Sequence, residues 1–221
     1  MINHSNYSDT HQAFTNDSLI LLVNSIPPYR VPLFNALNRS FSSFCVVADK
    51  FVESDRLWRV DQESIDFEYI IQKSFSFRKP WKTDAGRDFH LSLSTLYYLF
   101  KKRPSNVLTS ELGLRTLFAV IFKKIFPSTN LVIWLTLSLH TERNRDNYRR
   151  LFRAFLIKNA SSILTSGNSA KMYVETFLNS PPIHIASQPI EAPVKLDLKR
   201  RSNQSAIPLL FVGSASPRKN L

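Results

Sequence analysis

The chain has 221 residues, 43% hydrophobic and 21% charged, enough apolar material for one substantial core with some left over. Lys and Arg outnumber Asp and Glu by 29 to 17, and the formal charge of +12 favours anionic partners: lipid headgroups, sugar nucleotides or nucleic acid. One cysteine, Cys45, excludes an intramolecular disulfide and a cysteine-rich metal site; it reads as a small buried hydrophobe in a reducing compartment, the cytoplasm.

Residues 1–17 are polar, lack the apolar stretch of a secretory signal, and read as a disordered tail in which His4 and His11 are merely solvated. No apolar run is long enough to span a bilayer: Leu131 to Leu139 is too short, and Leu114 to Phe126 is cut by Arg115, Lys123 and Lys124. Ser18 to Val23 is a continuous apolar run suited to a central parallel strand. The loop after it, Asn24 to Arg30, is stiffened by Pro27 and Pro28, and Pro32 suits the first turn of a helix through Leu33, Phe34, Ala36 and Leu37. The loop has no glycine and is not a dinucleotide fingerprint. Two readings stand: a ligand loop at a strand's carboxyl end, or a turn shaped by two prolines.

Phe44 to Ala48 and Asp66 to Ile71 are the next strands expected. Arg56 to Arg59 and Phe75 to Trp81 interleave aromatics with cations, a pattern that suits lipid headgroups, bases or ordinary loop packing. Asp88 to Arg103 reads as one helix with Phe89, Leu93, Leu96, Leu99 and Phe100 on one face. Its basic end complements the helix dipole, and Pro104 stops it. A strand at Asn106 to Thr109, a helix at Leu114 to Phe126 and a strand at Asn130 to Thr136 follow. This alternation predicts an α/β fold, a doubly wound parallel sheet.

His140 to Arg143 lies where the chain leaves a core strand. In the next helix Tyr148, Leu151, Phe152, Phe155 and Leu156 read as the buried face. Arg145, Arg149 and Arg153 fall on another arc, which is either solvated or a phosphate contact. His140 and Glu142 pair a histidine with a carboxylate at a strand end and are candidate catalytic residues; Thr141 and Glu142 opening a helix explain the same residues. Ser161 to Thr165 is a strand, Ser166 to Ser169 a turn capping a helix through Met172, Tyr173, Thr176 and Phe177, and Ile183 to Ala186 a final strand. Residues 191–206 suit a linker. Ile207 to Val212 then reads as a buried strand leading to Gly213 and the cations Arg218 and Lys219, which is how a nucleotide-binding βαβ unit begins.

Val212-Gly213 followed by Pro217-Arg218-Lys219-Asn220-Leu221 resembles the opening of the second domain of GT-B glycosyltransferases of family 4. Ser25 to Phe34 is similar to that family's first βα loop, and Thr141 to Arg145 with Ala160 to Gly167 to its last first-domain helix and strand. The resemblance covers roughly Leu19 to Leu221. It implies a Rossmann-like acceptor-side domain over 18–190, a linker over 191–206, and the start of a nucleotide-sugar-binding domain over 207–221. The implied activity is transfer of a hexosyl group, with retention, from a nucleotide-sugar donor to a saccharide or lipid-linked acceptor, as in polysaccharide biosynthesis, without cofactor or metal. Gly213, Arg218 and Lys219 would hold the donor phosphate; Pro28, Tyr29 and Arg30 would form an acceptor-side loop; Ser166 and Gly167 would form a turn at the cleft; His140 and Glu142 would handle the acceptor. Gln188-Pro189-Ile190-Glu191 departs from the family's Asn-Pro-Val-Asp exit at both polar positions, and the family's paired glutamates of the second domain have no counterpart. A chain ending at Leu221 is therefore expected to transfer little sugar. The alternative is a non-catalytic basic module: an adapter peripheral on the anionic inner face of a membrane, or a nucleic-acid binder, for which no recognised motif is present.

Overall fold

A continuous apolar run forms a strand in the middle of a sheet because both of its faces are covered, and the first strand shows this residue by residue. In the computed structural model, which describes residues 14–52, 60–72, 75–79, 87–91, 93–140, 142 and 147–187, β1 spans Phe14–Val23. Ile20 and Leu22 enter one core cluster, while Leu19, Leu21 and Val23 enter another on the opposite face. β2 (Phe41–Ala48) divides the same way, with Cys45 and Val47 on the first face and Phe44, Val46 and Ala48 on the second. Burial raises the Cys45 thiol to a pKa of about 11, so it remains an uncharged core group.

β3 (Glu68–Ile71), β6 (Asn106–Thr109), β7 (Asn130–Leu135), β8 (Ser162–Thr165) and β9 (Ile183–Ile185) complete a seven-stranded sheet in the order β3-β2-β1-β6-β7-β8-β9. Every pairing within it is parallel. The fold is therefore α/β with a doubly wound, Rossmann-like parallel sheet. Strand order reverses between β1 and β6, and connections diverge there. α1 (Val31–Ser40) covers the second face through Val31 and Phe34. α2 (Ser94–Lys102), α3 (Leu114–Ile125), α4 (Asn147–Lys158) and α5 (Asn168–Glu175) cover the first. Among the described residues no helix is long and apolar enough to cross a membrane.

Three expectations are corrected. β1 begins at Phe14, so residues 14–17 belong to the strand. Residues 87–91 are not helical: β5 (Arg87–Leu91) pairs antiparallel with β4 (Phe75–Lys79) in a separate two-stranded sheet, with Phe77 opposite Phe89. The backbone partner at Phe75–Lys79 overrides the helical spacing of the apolar residues. The helix starts only at Ser94 and buries Thr95 and Leu99, leaving Leu93 exposed.

The third correction concerns α4. It buries Arg153, Leu156 and Ile157, and leaves Tyr148, Leu151 and Phe155 exposed. The rotation follows from Arg153, whose guanidinium donates to the Glu142 carboxylate and, at 2.7 Å, to the Tyr173 hydroxyl. Neither acceptor would be reached if the helix turned its aromatic side inward. Chemical denaturation checks this assignment. Leu156→Ala is expected to cost about 2–5 kcal/mol as a core truncation, whereas Leu151→Ser stays within about 0.5 kcal/mol as a surface change.

Candidate active site

In an open parallel sheet, ligands bind beyond the carboxyl ends of the strands where the order reverses. Here that place is the gap between β1 and β6. On the β1 side the chain continues as Asn24 to Arg30. Ile26 is fully buried and its N–H donates to the Phe51 carbonyl at 3.3 Å, while the Lys50 N–H donates to the Asn24 carbonyl at 3.1 Å. Pro28–Arg30 closes into a single 3-10 turn, with the Arg30 N–H on the Pro27 carbonyl at 2.9 Å. The prolines thus deliver the chain into α1 in one fixed direction.

The turn presents Tyr29, 44% exposed, and Arg30, whose guanidinium carbon lies 5.0 Å from the Trp134 ring centroid on β7 and 6.0 Å from the Tyr29 ring. Arg30 therefore spans from the β1 loop across to β7. Burial pulls its pKa below the ordinary value, offset in part by Tyr29. Arg30 Nε and Trp134 Nε1 are buried donors with no hydrogen-bond acceptor among the described residues.

Beneath this turn lies a polar network. Arg115, in the first turn of α3, donates from one guanidinium nitrogen to the Asp49 carboxylate just past β2 and, at 2.8 Å, to the Asn24 side-chain oxygen just past β1. Both charged side chains are almost fully buried, Arg115 at 4% exposure and Asp49 at 0%. Glu111 stands 3.5 Å from the second guanidinium nitrogen. Gln72, just past β3, donates to Asp49 at 2.6 Å and accepts from Ser94 at 3.0 Å and Thr95 at 3.1 Å at the start of α2. Thr109 and Thr116 exchange a hydrogen bond at 2.9 Å. The carboxyl ends of β1, β2, β3 and β6 are thus tied to two helix starts.

The remaining candidate residues lie further along the same edge. His140 is exposed after β7. Glu142, whose side chain is 6% exposed, is engaged by Arg153, with Arg149 Nε 3.9 Å away. His140 and Glu142 are near in sequence but sit in different surroundings, one in solvent and one in an arginine cage. Arg153 does not face solvent as one arc of a basic helix would. Ser166 follows β8 and its N–H donates to the Leu135 carbonyl at 3.0 Å; Gly167 caps α5, its carbonyl accepting from Ala170 and Lys171 at 3.1 Å. A Cβ on Gly167 would meet nothing within 4 Å, so this turn is open to the edge. Gly213, Arg218 and Lys219, and the exit at Gln188 to Glu191, lie outside the described residues.

No protein-family model matches the chain, and no curated protein matches it. Among solved structures it is similar to UDP-GlcNAc 2-epimerase from Methanocaldococcus jannaschii, at 9% identity and a TM-score of 0.42, covering 76% of this chain and 45% of that one. It is similar to MurG of Acinetobacter baumannii at 9% identity and a TM-score of 0.43, covering 76% of this chain and 44% of that one. The chain thus spans less than half the length of either.

The buried pair generates a testable expectation. Arg115→Met leaves the Asp49 carboxylate buried without its partner and should cost about 3–5 kcal/mol in urea unfolding. Adding Asp49→Leu should recover part of that loss, so the double variant is less destabilised than the sum of the singles. Strict additivity would remove the network from its structural role.

Proposed function

We propose that this chain is the acceptor-side half of a sugar-transferring enzyme of GT-B type, using a nucleotide-sugar donor and a saccharide or lipid-linked acceptor. The observation that carries the reading is the place of the Ser25 to Arg30 loop. The segment that resembles the glycosyltransferase loop in sequence falls at the strand-order reversal, the position where an open α/β sheet takes a ligand. The stiffness of that loop and the buried network beneath it support a preorganised binding edge rather than a mobile tail.

In this reading Tyr29 offers a face for a sugar ring. Arg30, already partly stripped of water and with an unpaired Nε among the described residues, gains by meeting an anionic or hydroxyl-rich acceptor group. His140, exposed at the same edge, is the group to take the proton from the attacking acceptor hydroxyl. Glu142, committed to Arg153, holds that segment in place. Ser166 and Gly167 line the neighbouring turn, and Arg218 and Lys219 meet the donor diphosphate as negative charge develops on it. The acceptor oxygen forms the new glycosidic bond as the bond from the anomeric carbon to the diphosphate breaks. The leaving group is a nucleoside diphosphate.

The test is release of nucleoside diphosphate from a panel of nucleotide sugars by the protein purified from its native source, with saccharide and lipid-linked acceptors added. Acceptor-dependent release is expected. Arg30→Ala should raise the acceptor KM about tenfold to a hundredfold, the worth of a hydrogen bond to a charged group, and should lower stability by only about 0.5–2 kcal/mol through loss of its contact with Trp134. No release with any donor, together with a salt-sensitive gel shift on nucleic acid, would assign the basic charge to a different partner.

A further inference from the structure

Sugar transfer at the carboxyl edge leaves the outer surface of the helix layer unexplained. There α3 and α4 run side by side. Lys124 Nζ lies 5.2 Å from the Phe155 ring centroid, and Lys123 reaches across to the Asn159 carbonyl at 3.2 Å and the Ser161 hydroxyl at 2.8 Å. From α4, Tyr148, Leu151 and Phe155 point outward at i, i+3 and i+7, with Tyr148 87% and Leu151 68% exposed. From α3, Ile121 and Ile125 point outward at i and i+4, Ile125 being 54% exposed. Between the carboxyl-terminal ends of the two helices an open cleft of about 280 Å³ is lined by Lys123, Lys124 and Lys158.

Among the described residues the exposed charges of α3 and α4 are cations, Lys124, Arg150 and Lys158, and neither helix contains a carboxylate; Arg115 and Arg153 are buried in ion pairs and take no part. A solvated basic helix would account for the cations. It would not account for an apolar stripe beside them, because an exposed Tyr, Leu and Ile at helical spacing gain nothing from water. Cations flanking outward apolar side chains, with a lysine cleft between, match a surface that is apolar inside and anionic outside.

We propose that the outer face of α3 and α4 docks on an anionic phospholipid bilayer. Tyr148, Leu151, Phe155 and Ile125 enter the interface, and Lys124 and Lys158 at the mouth of the cleft meet lipid phosphates. A second copy of the chain is a poor occupant, since like faces would set lysine against lysine in a protein of net charge +12. Nucleic acid would use the cations and leave the aliphatic stripe uncovered. The face is built from residues of α3 and α4, and it stands independently of the sugar-transfer reading.

The experiment is co-sedimentation of the full chain with large vesicles of phosphatidylcholine, with and without about one-third phosphatidylglycerol, whose negative surface potential attracts basic side chains. The chain should sediment with the anionic vesicles and remain in solution with the neutral ones. Lys124→Glu with Lys158→Glu should weaken vesicle binding about tenfold or more, by the same electrostatic rule. Tyr148→Ser with Leu151→Ser should weaken it while leaving its dependence on salt in place. All four positions are away from the core, and unchanged circular dichroism confirms the fold. No sedimentation with anionic vesicles at low salt overturns the proposal, as does binding that survives the charge reversal. A concentration-dependent dimer abolished by Leu151→Ser would overturn it in favour of self-association. No nucleotide sugar enters these assays, so their outcome is separate from that of the transfer assay.

Discussion

A guanidinium and a carboxylate buried together, Arg115 and Asp49, hold the carboxyl edge of this sheet in one arrangement. Strand order reverses between β1 and β6, so the connections on either side turn away from each other, and Arg115 crosses from the α3 side to Asn24 and Asp49 beyond β1 and β2. Burying a charge pair is costly in desolvation, and Asn24 and Gln72 offset part of that cost by bonding Arg115 and Asp49, while Ser94 and Thr95 hold Gln72 in place. Arg115 Nε and its second terminal nitrogen have no hydrogen-bond acceptor among the described residues, Glu111 standing 3.5 Å from the latter. Because Asn24, Asp49 and Gln72 each sit one residue past a strand, the network fixes where three strands stop. The loop from Ser25 to Arg30 is mounted on that fixed edge, and the proposed acceptor site inherits its rigidity.

A second polar pin shapes the other half of the molecule. Arg153 is drawn inward by Glu142 and Tyr173, and this sets the rotation of α4 about its axis. Leu156 and Ile157 follow it into the core, while Tyr148, Leu151 and Phe155 turn out. One ion pair thus accounts for two features: a buried arginine in a basic helix and an apolar stripe on its outside. The molecule thus has two chemically distinct surfaces. The strand ends carry a buried polar network, and the outer helix layer carries cations and exposed aliphatics.

The alternation of strands and helices was legible because each central strand is a short apolar run bounded by polar or proline-rich connections, and the doubly wound sheet followed. The exceptions have physical causes. Residues 87–91 carry helical spacing, yet a partner strand supplied by residues 75–79 decides their state, and a long-range pairing leaves no mark in a local pattern. Apolarity points to Tyr148, Leu151 and Phe155 as buried in α4, whereas the tertiary ion pair of Arg153 with Glu142 turns them outward. Arg115 did carry a signal: a cation in the first turn of an otherwise apolar helix opposes the dipole and calls for a carboxylate elsewhere. Its partner Asp49 lies 66 positions away, and nothing in the sequence points to it. The stiff loop at Pro27–Pro28 was visible as such, but the reach of Arg30 across to Trp134 depends on β6 lying between β1 and β7, a fact of topology.

The central claim is that the strand-order reversal, with the Ser25 to Arg30 loop at its rim, is where ligand binds. Backbone amide chemical-shift mapping of the isotope-labelled chain, titrated with a panel of saccharides and nucleoside diphosphates, tests it most directly. The account predicts shifts concentrated at Asn24 to Arg30, Ser110 to Arg115, Thr136 to His140 and Ser166 to Asn168. Shifts confined to the amino ends of the strands, or none at millimolar ligand, would contradict it.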